Sequence, residues 1–172
     1  MPELPEVETI RRQLRTEIVS QTVLRAGSHQ SQKFLPARKT RGRRFIGLSR
    51  RGKYLIGEFD NETELIIHLG MTGQLLIDKN EKFSKNLDQY CRAWWSLANG
   101  KTVVFRDVRR FGRIAVVGKG DYSQIPTLRD MGPEPFSDGL TGNDVWLRTK
   151  GRKSRIKTQL LSQRLIAGVG NI

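Results

Sequence analysis

The chain has 172 residues, 37% of them hydrophobic and 28% charged. This composition describes one soluble globular domain or one and part of a second, and no apolar run approaches the ~20 residues that a membrane-spanning helix needs. Lysine and arginine outnumber aspartate and glutamate by 31 to 17, a net charge of +14, which favours a polyanion partner, nucleic acid before anionic membrane.

The opening MPELPEVET is acidic from its third residue, so no secretory signal is expected. Val7, Ile10, Leu14 and Ile18 recur at helical spacing and predict a helix over 5–19. Pro5 suits its first turn, and Glu6 and Glu8 suit the positive end of its dipole. Residues 21–53 then carry ten basic side chains and no acidic one. From 22 to 118 the pattern is β. Eight short apolar runs lie between turn residues, at 22–26, 45–48, 53–59, 64–69, 74–77, 92–97, 102–105 and 113–117. Asn99-Gly100 is a two-residue hairpin signal between two of them. Eight strands in about a hundred residues predict a sandwich or a barrel. The stretch 119–142 holds Pro126, Pro133, Pro135 and several glycines, and reads as a loop or linker. Helix is expected again from about 142, with Thr141 and Asp144 as a cap. Ile156, Leu160, Leu161 and Leu165 predict a further helix with an apolar stripe. Arg152, Lys153, Arg155 and Lys157 would make it basic. The end, Ala167-Gly-Val-Gly-Asn-Ile172, looks like a turn leading onward, so truncation of a longer protein is expected. A natural, fraying C-terminal helix is the alternative.

Several groups are able to do chemistry. Removal of Met1 would expose the secondary amine of Pro2, a nucleophile near neutral pH, with Glu3 beside it as a general acid. Lys53, where a basic loop enters a strand, is placed to carry protons or to grip a phosphate. His68-Leu-Gly-Met-Thr-Gly73 has two glycines that allow a tight turn lifting Met71 outward, as a wedge for a base stack. Arg109 and Phe111, on a turn ending in Gly112, have the chemistry to fill the hole left by an extruded base. Lys153 and Lys157 would track a phosphate backbone, and Asn171 would hydrogen-bond one phosphate. Each has a plainer alternative: a start signal, a solvated lysine, a core methionine or phenylalanine, a structural histidine.

Together the segments MPELPEVET, RRGKYL, HLGMTG, DVRRFG, MGPEPF and IAGVGNI resemble the formamidopyrimidine-DNA glycosylase family, bacterial bifunctional enzymes that excise oxidised purines. Leu4 looks like the oxidised-purine branch, not the related endonuclease VIII branch. The resemblance implies an α+β fold: an N-terminal helix, a two-sheet β-sandwich, then a helix–two-turns–helix domain. It places the catalytic domain at 1–131 and an incomplete helical domain at 132–172. It implies Pro2 as Schiff-base nucleophile, Glu3 as general acid, Glu6 in support, and Lys53 in β-elimination. Met71, Arg109 and Phe111 would fill the void behind a flipped nucleotide. His68, Lys153, Lys157 and Asn171 would contact the DNA backbone. The implied reaction is base excision followed by strand cleavage at the abasic site. The implied partner is double-stranded DNA carrying oxidised purines or abasic sites. A cytoplasmic, nucleoid-associated monomer that does not bind membranes is expected.

Two departures qualify this. The family's His-x-His segment is Tyr90-Cys91-Arg92 here, and Tyr90 is expected to keep the DNA contact. The family's later helices, damage-capping loop and four-cysteine zinc finger have no counterpart in the 172 residues, so no cofactor is expected. The alternative to an enzyme is a DNA-binding remnant with weak or no activity.

Overall fold

The computed structural model describes residues 2–78 and 88–171. Helix α1, Leu4–Ile18, buries Val7, Leu14 and Ile18 along one stripe, with Ile10 partly buried beside them. Pro5 lies in its first turn. The backbone N–H of Glu3, ahead of the helix, donates to Glu6 Oε2 at 3.0 Å, satisfying one donor that the helix geometry leaves unpaired.

All eight expected strands form, within one to three residues of their expected ends. They are β1 (Val23–Ser28), β2 (Phe45–Arg51), β3 (Tyr54–Phe59), β4 (Thr63–His68), β5 (Gly73–Asp78), β6 (Cys91–Leu97), β7 (Thr102–Asp107) and β8 (Arg113–Gly118). They pair antiparallel in two four-stranded sheets, β1-β6-β7-β5 and β2-β3-β4-β8. The architecture is therefore a sandwich and not a closed barrel. Phe45, Leu55, Leu65 and Ile67 of one sheet meet Trp95, Leu97 and Phe105 of the other in a single core that α1 also enters. A 3-10 helix, Leu35–Thr40, joins β1 to β2 and buries Ala37 and Thr40.

Three local expectations are corrected. The β6–β7 loop has three residues, not two: Leu97 N–H donates to the Lys101 carbonyl at 2.8 Å, enclosing Ala98, Asn99 and Gly100. The stretch 119–142 is not simply a linker. It contains a short helix α2, Pro126–Arg129, and its Ile125, Leu128 and Met131 pack with Ala167 on Ile56 and Ile66. This second cluster covers the outer face of the β2-β3-β4-β8 sheet. Strand β4 is consequently buried on both faces, which explains its unbroken Leu65-Ile66-Ile67 run. Finally, helices α3 (Gly142–Thr149) and α4 (Ile156–Leu161) are short. Arg152, Lys153 and Arg155 lie in the connection between them, and of the four expected helical cations only Lys157 is on a helix. The Thr141–Asp144 cap forms as expected, with Asp144 N–H donating to Thr141 Oγ1 at 3.2 Å.

The register brings functional candidates to one end of the sandwich. Tyr54 pairs with His68, His68 with Arg113, and Gly73 with Asp107. The 51–54 turn and the 69–72 and 108–112 loops therefore emerge side by side.

Candidate functional site

Glu3 is buried at the start of α1. Its charge partner is the Lys53 ammonium, in direct ion-pair contact with Oε2. Pro2 precedes it in the chain and Glu6 fixes its backbone. Gly170 closes the other side: a Cβ there would run into the Glu3 carboxylate, so only a glycine backbone fits so close. Pro2, Glu3, Glu6 and Lys53 are thus together, and Asn171 follows Gly170 at the exposed edge of the same wall.

A second set of side chains, which the sequence reading did not single out, holds the Lys53 turn. Arg50 Nε donates to Glu8 Oε2 at 3.2 Å, its Nη1 and Nη2 donate to Glu134 Oε1 and Oε2 at 3.1 and 3.0 Å, and Nη1 also reaches the Gly52 carbonyl at 2.9 Å. Glu134 Oε1 accepts the Gly52 N–H as well. One guanidinium therefore ties α1, the β2–β3 turn and residue 134 together. A two-pronged arginine–carboxylate pair fixes direction as well as distance.

Hydrogen bonds from Arg11 most of all, then from Arg12 and Arg50, hold the Glu8 carboxyl down to about 2 against burial that pushes it up. A depressed carboxylate stabilises the fold fully above its ordinary value of 4.5, and that contribution is lost as pH falls toward 2. His68 behaves in the same sense. Burial lowers its pKa first, with Lys53 and Arg113 adding to the effect, so its support begins to fall below its ordinary 6.5. The melting temperature is expected to decline in two stages, beginning below pH 6.5 and steepening below 4.5. In Glu8→Gln the lower stage should shrink by about 2 kcal/mol. Melting curves from pH 7 to 3 check this.

His68 Nδ1 accepts the Gly70 N–H at 3.1 Å, which leaves Nε2 carrying the proton of the neutral ring. The ring lies 4.7 Å from that of Tyr54. Beyond it, the 69–72 and 108–112 loops meet backbone to backbone. At Gly70, with φ +65°, a Cβ would come within 2.5 Å of Gly112 N. The resulting turn displays Met71, 39% exposed, next to the loop carrying Phe111, 50% exposed. The Arg109 guanidinium stacks 4.6 Å from the Phe111 ring centre. Asp107, fully buried, pins both loops. Its Oδ1 accepts the Thr72 hydroxyl at 2.5 Å and its Oδ2 the Gly112 N–H at 2.8 Å, while Thr72 Oγ1 accepts the Arg109 N–H at 3.0 Å.

Tyr90 adjoins this region, since Asp107 N–H donates to its carbonyl at 2.9 Å and Arg106 stacks on its ring at 5.0 Å. Lys153 and Lys157 are exposed on the 150–157 stretch, away from any hydrogen bond or ion pair of the Glu3–Lys53 group among the described residues. Burial pushes the thiol of Cys91, the one cysteine in the sequence, up to about 11.

The sequence model of the formamidopyrimidine-DNA glycosylase N-terminal domain matches residues 1–114. Formamidopyrimidine-DNA glycosylase of Deinococcus radiodurans is 37% identical over 181 aligned residues, and that of Thermus thermophilus is 38% identical over 172. Each alignment covers all of this chain and 61% of the relative. The crystal structure of the MutM (Fpg) protein from Thermus thermophilus superposes with a TM-score of 0.88 at 39% identity, covering 99% of this chain and 61% of that one. Lactococcus lactis formamidopyrimidine-DNA glycosylase bound to DNA containing an abasic site superposes at 0.86 and 31%, covering 99% and 66%. The chain spans somewhat under two thirds of the length of these relatives, and it belongs to the formamidopyrimidine-DNA glycosylase family.

Proposed function

We propose that this chain carries the catalytic half of a glycosylase and abasic-site lyase acting on duplex DNA with oxidised purines. Met1 lies outside the described residues. Its removal would free the Pro2 amine to attack C1′ of the damaged nucleotide. The base departs with a proton, the sugar ring opens on a proton from Glu3, and an iminium links Pro2 to C1′. Loss of a C2′ proton then expels the 3′ phosphate, breaking the strand. Lys53 carries that proton traffic and faces the phosphate. Met71, Arg109 and Phe111 occupy the space the extruded nucleotide leaves. His68 and Tyr90 lie along the same end of the sandwich, toward the backbone, and Asn171, Lys153 and Lys157 contact phosphates farther out.

The observation that carries this reading is the Glu3 carboxyl group, buried next to Pro2 in the chain and paired directly to the Lys53 ammonium. A buried acid held between the chain-start amine and an ammonium is placed to pass a proton to and from a sugar bound at Pro2.

The assigned residues act on sugar and phosphate, and none of them reads a base edge. Strand cleavage at a preformed abasic site is therefore expected to be at least ten times faster than excision of 8-oxoguanine from the same duplex. Equal rates on the two substrates would contradict this assignment. A second reading, a DNA-binding protein without chemistry, is favoured by apolar side chains left in solvent: Phe136 is 87% exposed, and Trp146, Leu147 and Ile156 are each more than half exposed. Such surface belongs under a partner. Duplex binding with neither reaction would establish that reading.

A further inference from the structure

The acid-free run from 21 to 53 supplies Arg50 and Lys53 to the site described above. Apart from Lys33, which holds the Arg110 carbonyl, its remaining cations have no part in that site. The structure does not leave them on a loose tail. Lys33, Arg38, Lys39, Arg41, Arg43 and Arg44 lie on and around the 3-10 helix Leu35–Thr40, whose Ala37 and Thr40 are buried and whose Phe34 neighbour is fully buried in the core. Pro36 stiffens its first turn. The Thr40 hydroxyl donates to the Ala37 carbonyl at 2.8 Å. The charges are therefore displayed from a rigid ridge. Among the described residues, a carboxylate partner is found for one of the six: Arg44, with Asp60 at 3.7 Å. Lys39 and Arg41 are exposed and make no ion pair among the described residues.

The ridge is continuous with the DNA-facing end of the sandwich. Lys33 Nζ donates to the Arg110 carbonyl at 3.1 Å, and Ile114 N–H donates to the Lys33 carbonyl at 2.8 Å. From there the chain runs down the side of the sandwich to Arg44, which bridges Thr22 at the far end. Six residues of 3-10 helix rise about 12 Å, the length of three to four base pairs. Rigidly held like charges repel one another and weaken the fold unless a polyanion offsets them.

We propose that this ridge is a second duplex-DNA contact, which grips the phosphate backbone flanking the site where the Met71 and Phe111 loops enter. It adds affinity and reach without sequence preference. The inference rests on reading the chain as a duplex binder, and it does not depend on the chemistry at Pro2.

The test is the salt dependence of binding to an undamaged 24-base-pair duplex, so that catalysis plays no part. The 172-residue chain is compared with a double variant, Lys39→Gln with Arg41→Gln. A control double variant, Arg15→Gln with Lys119→Gln, removes the same charge from other faces. The ridge variant is expected to flatten the slope of log K against log salt by about 1.8, for two lost phosphate contacts. The control should flatten it by less than half of that. An unchanged slope in the ridge variant, or equal flattening in both variants, would overturn the proposal. So would a ridge variant that loses binding to anionic phospholipid vesicles and keeps its duplex slope, since the ridge would then serve a membrane surface. If the unaltered chain fails to bind duplex at all, the proposed function falls with the ridge. Normal binding with unaltered slopes removes the ridge alone.

Discussion

Asp107→Ala is expected to lower stability by about 2–4 kcal/mol, because two hydrogen bonds to a buried carboxylate are lost and their donors are stranded. In melting temperature that is about 5–15 °C for a chain of this size. The carboxylate is fully buried, and it serves the Thr72 hydroxyl and the Gly112 N–H at once. Thr72 in turn holds the Arg109 backbone. Deleting the carboxylate therefore releases both loops that carry Met71, Arg109 and Phe111. Amide hydrogen exchange should rise at 69–72 and 108–112 and stay slow in α1. The isosteric Asp107→Asn should cost only about 1 kcal/mol, since its amide can accept from Gly112 and donate to Thr72, which keeps both contacts. Equal destabilisation by the two variants, or exchange that rises uniformly, would mean that Asp107 supports the core in general and not these loops.

Glu134→Gln is expected to cost about 2–4 kcal/mol, the low side of the range for breaking a buried ion pair, because Arg50 keeps Glu8 as a second partner. Gln offers one oxygen where Glu134 uses two, and its amide nitrogen must then face a donor, either the Arg50 guanidinium or the Gly52 N–H. The 51–54 turn that presents Lys53 should loosen. Capture of an abasic-site sugar at Pro2 is expected to fall at least ten-fold, and more steeply than global stability predicts. Melting temperature and adduct yield, measured side by side in Glu134→Gln and in Val116→Ala, separate the two effects. The second variant trims a sheet residue away from the turn. A loss of yield that simply follows melting temperature in both would deny Glu134 its positioning role.

Much of this fold is legible in the order of residues. The eight strands announce themselves because each apolar run is short and bounded by turn formers, and α1 because its stripe keeps helical spacing over fifteen residues. Pro2, Glu3, Lys53, Met71, Arg109 and Phe111 stand within local motifs, so resemblance reaches them directly. What the sequence hides is tertiary. Arg50 and Glu134 are 84 residues apart, and Asp107 and Thr72 are 35 apart. No local spacing links such pairs, although Glu134 and Asp107 both lie inside matched segments. The 119–142 stretch misleads because its prolines and glycines mask the three-residue spacing of Ile125, Leu128 and Met131, which is the trace of a buried turn of helix. The basic helix misleads for the opposite reason. Its apolar spacing looks continuous, but Gly151 at φ +75° and Gln163 at φ +62° break the chain on both sides of α4. Leu165 is then buried from outside the helix.

The central claim is that Pro2 forms a covalent link to the DNA sugar beside a buried Glu3–Lys53 pair. Borohydride trapping tests it most directly. The purified 172-residue chain, with Met1 shown to be absent by intact mass, is mixed with a duplex bearing one abasic site and reduced. The predicted result is a stable protein–DNA adduct that maps to Pro2 and that disappears when the N-terminus is blocked by retained Met1 or by added residues. A chain that is folded by circular dichroism and yields no adduct, or that yields as much when blocked, would contradict it.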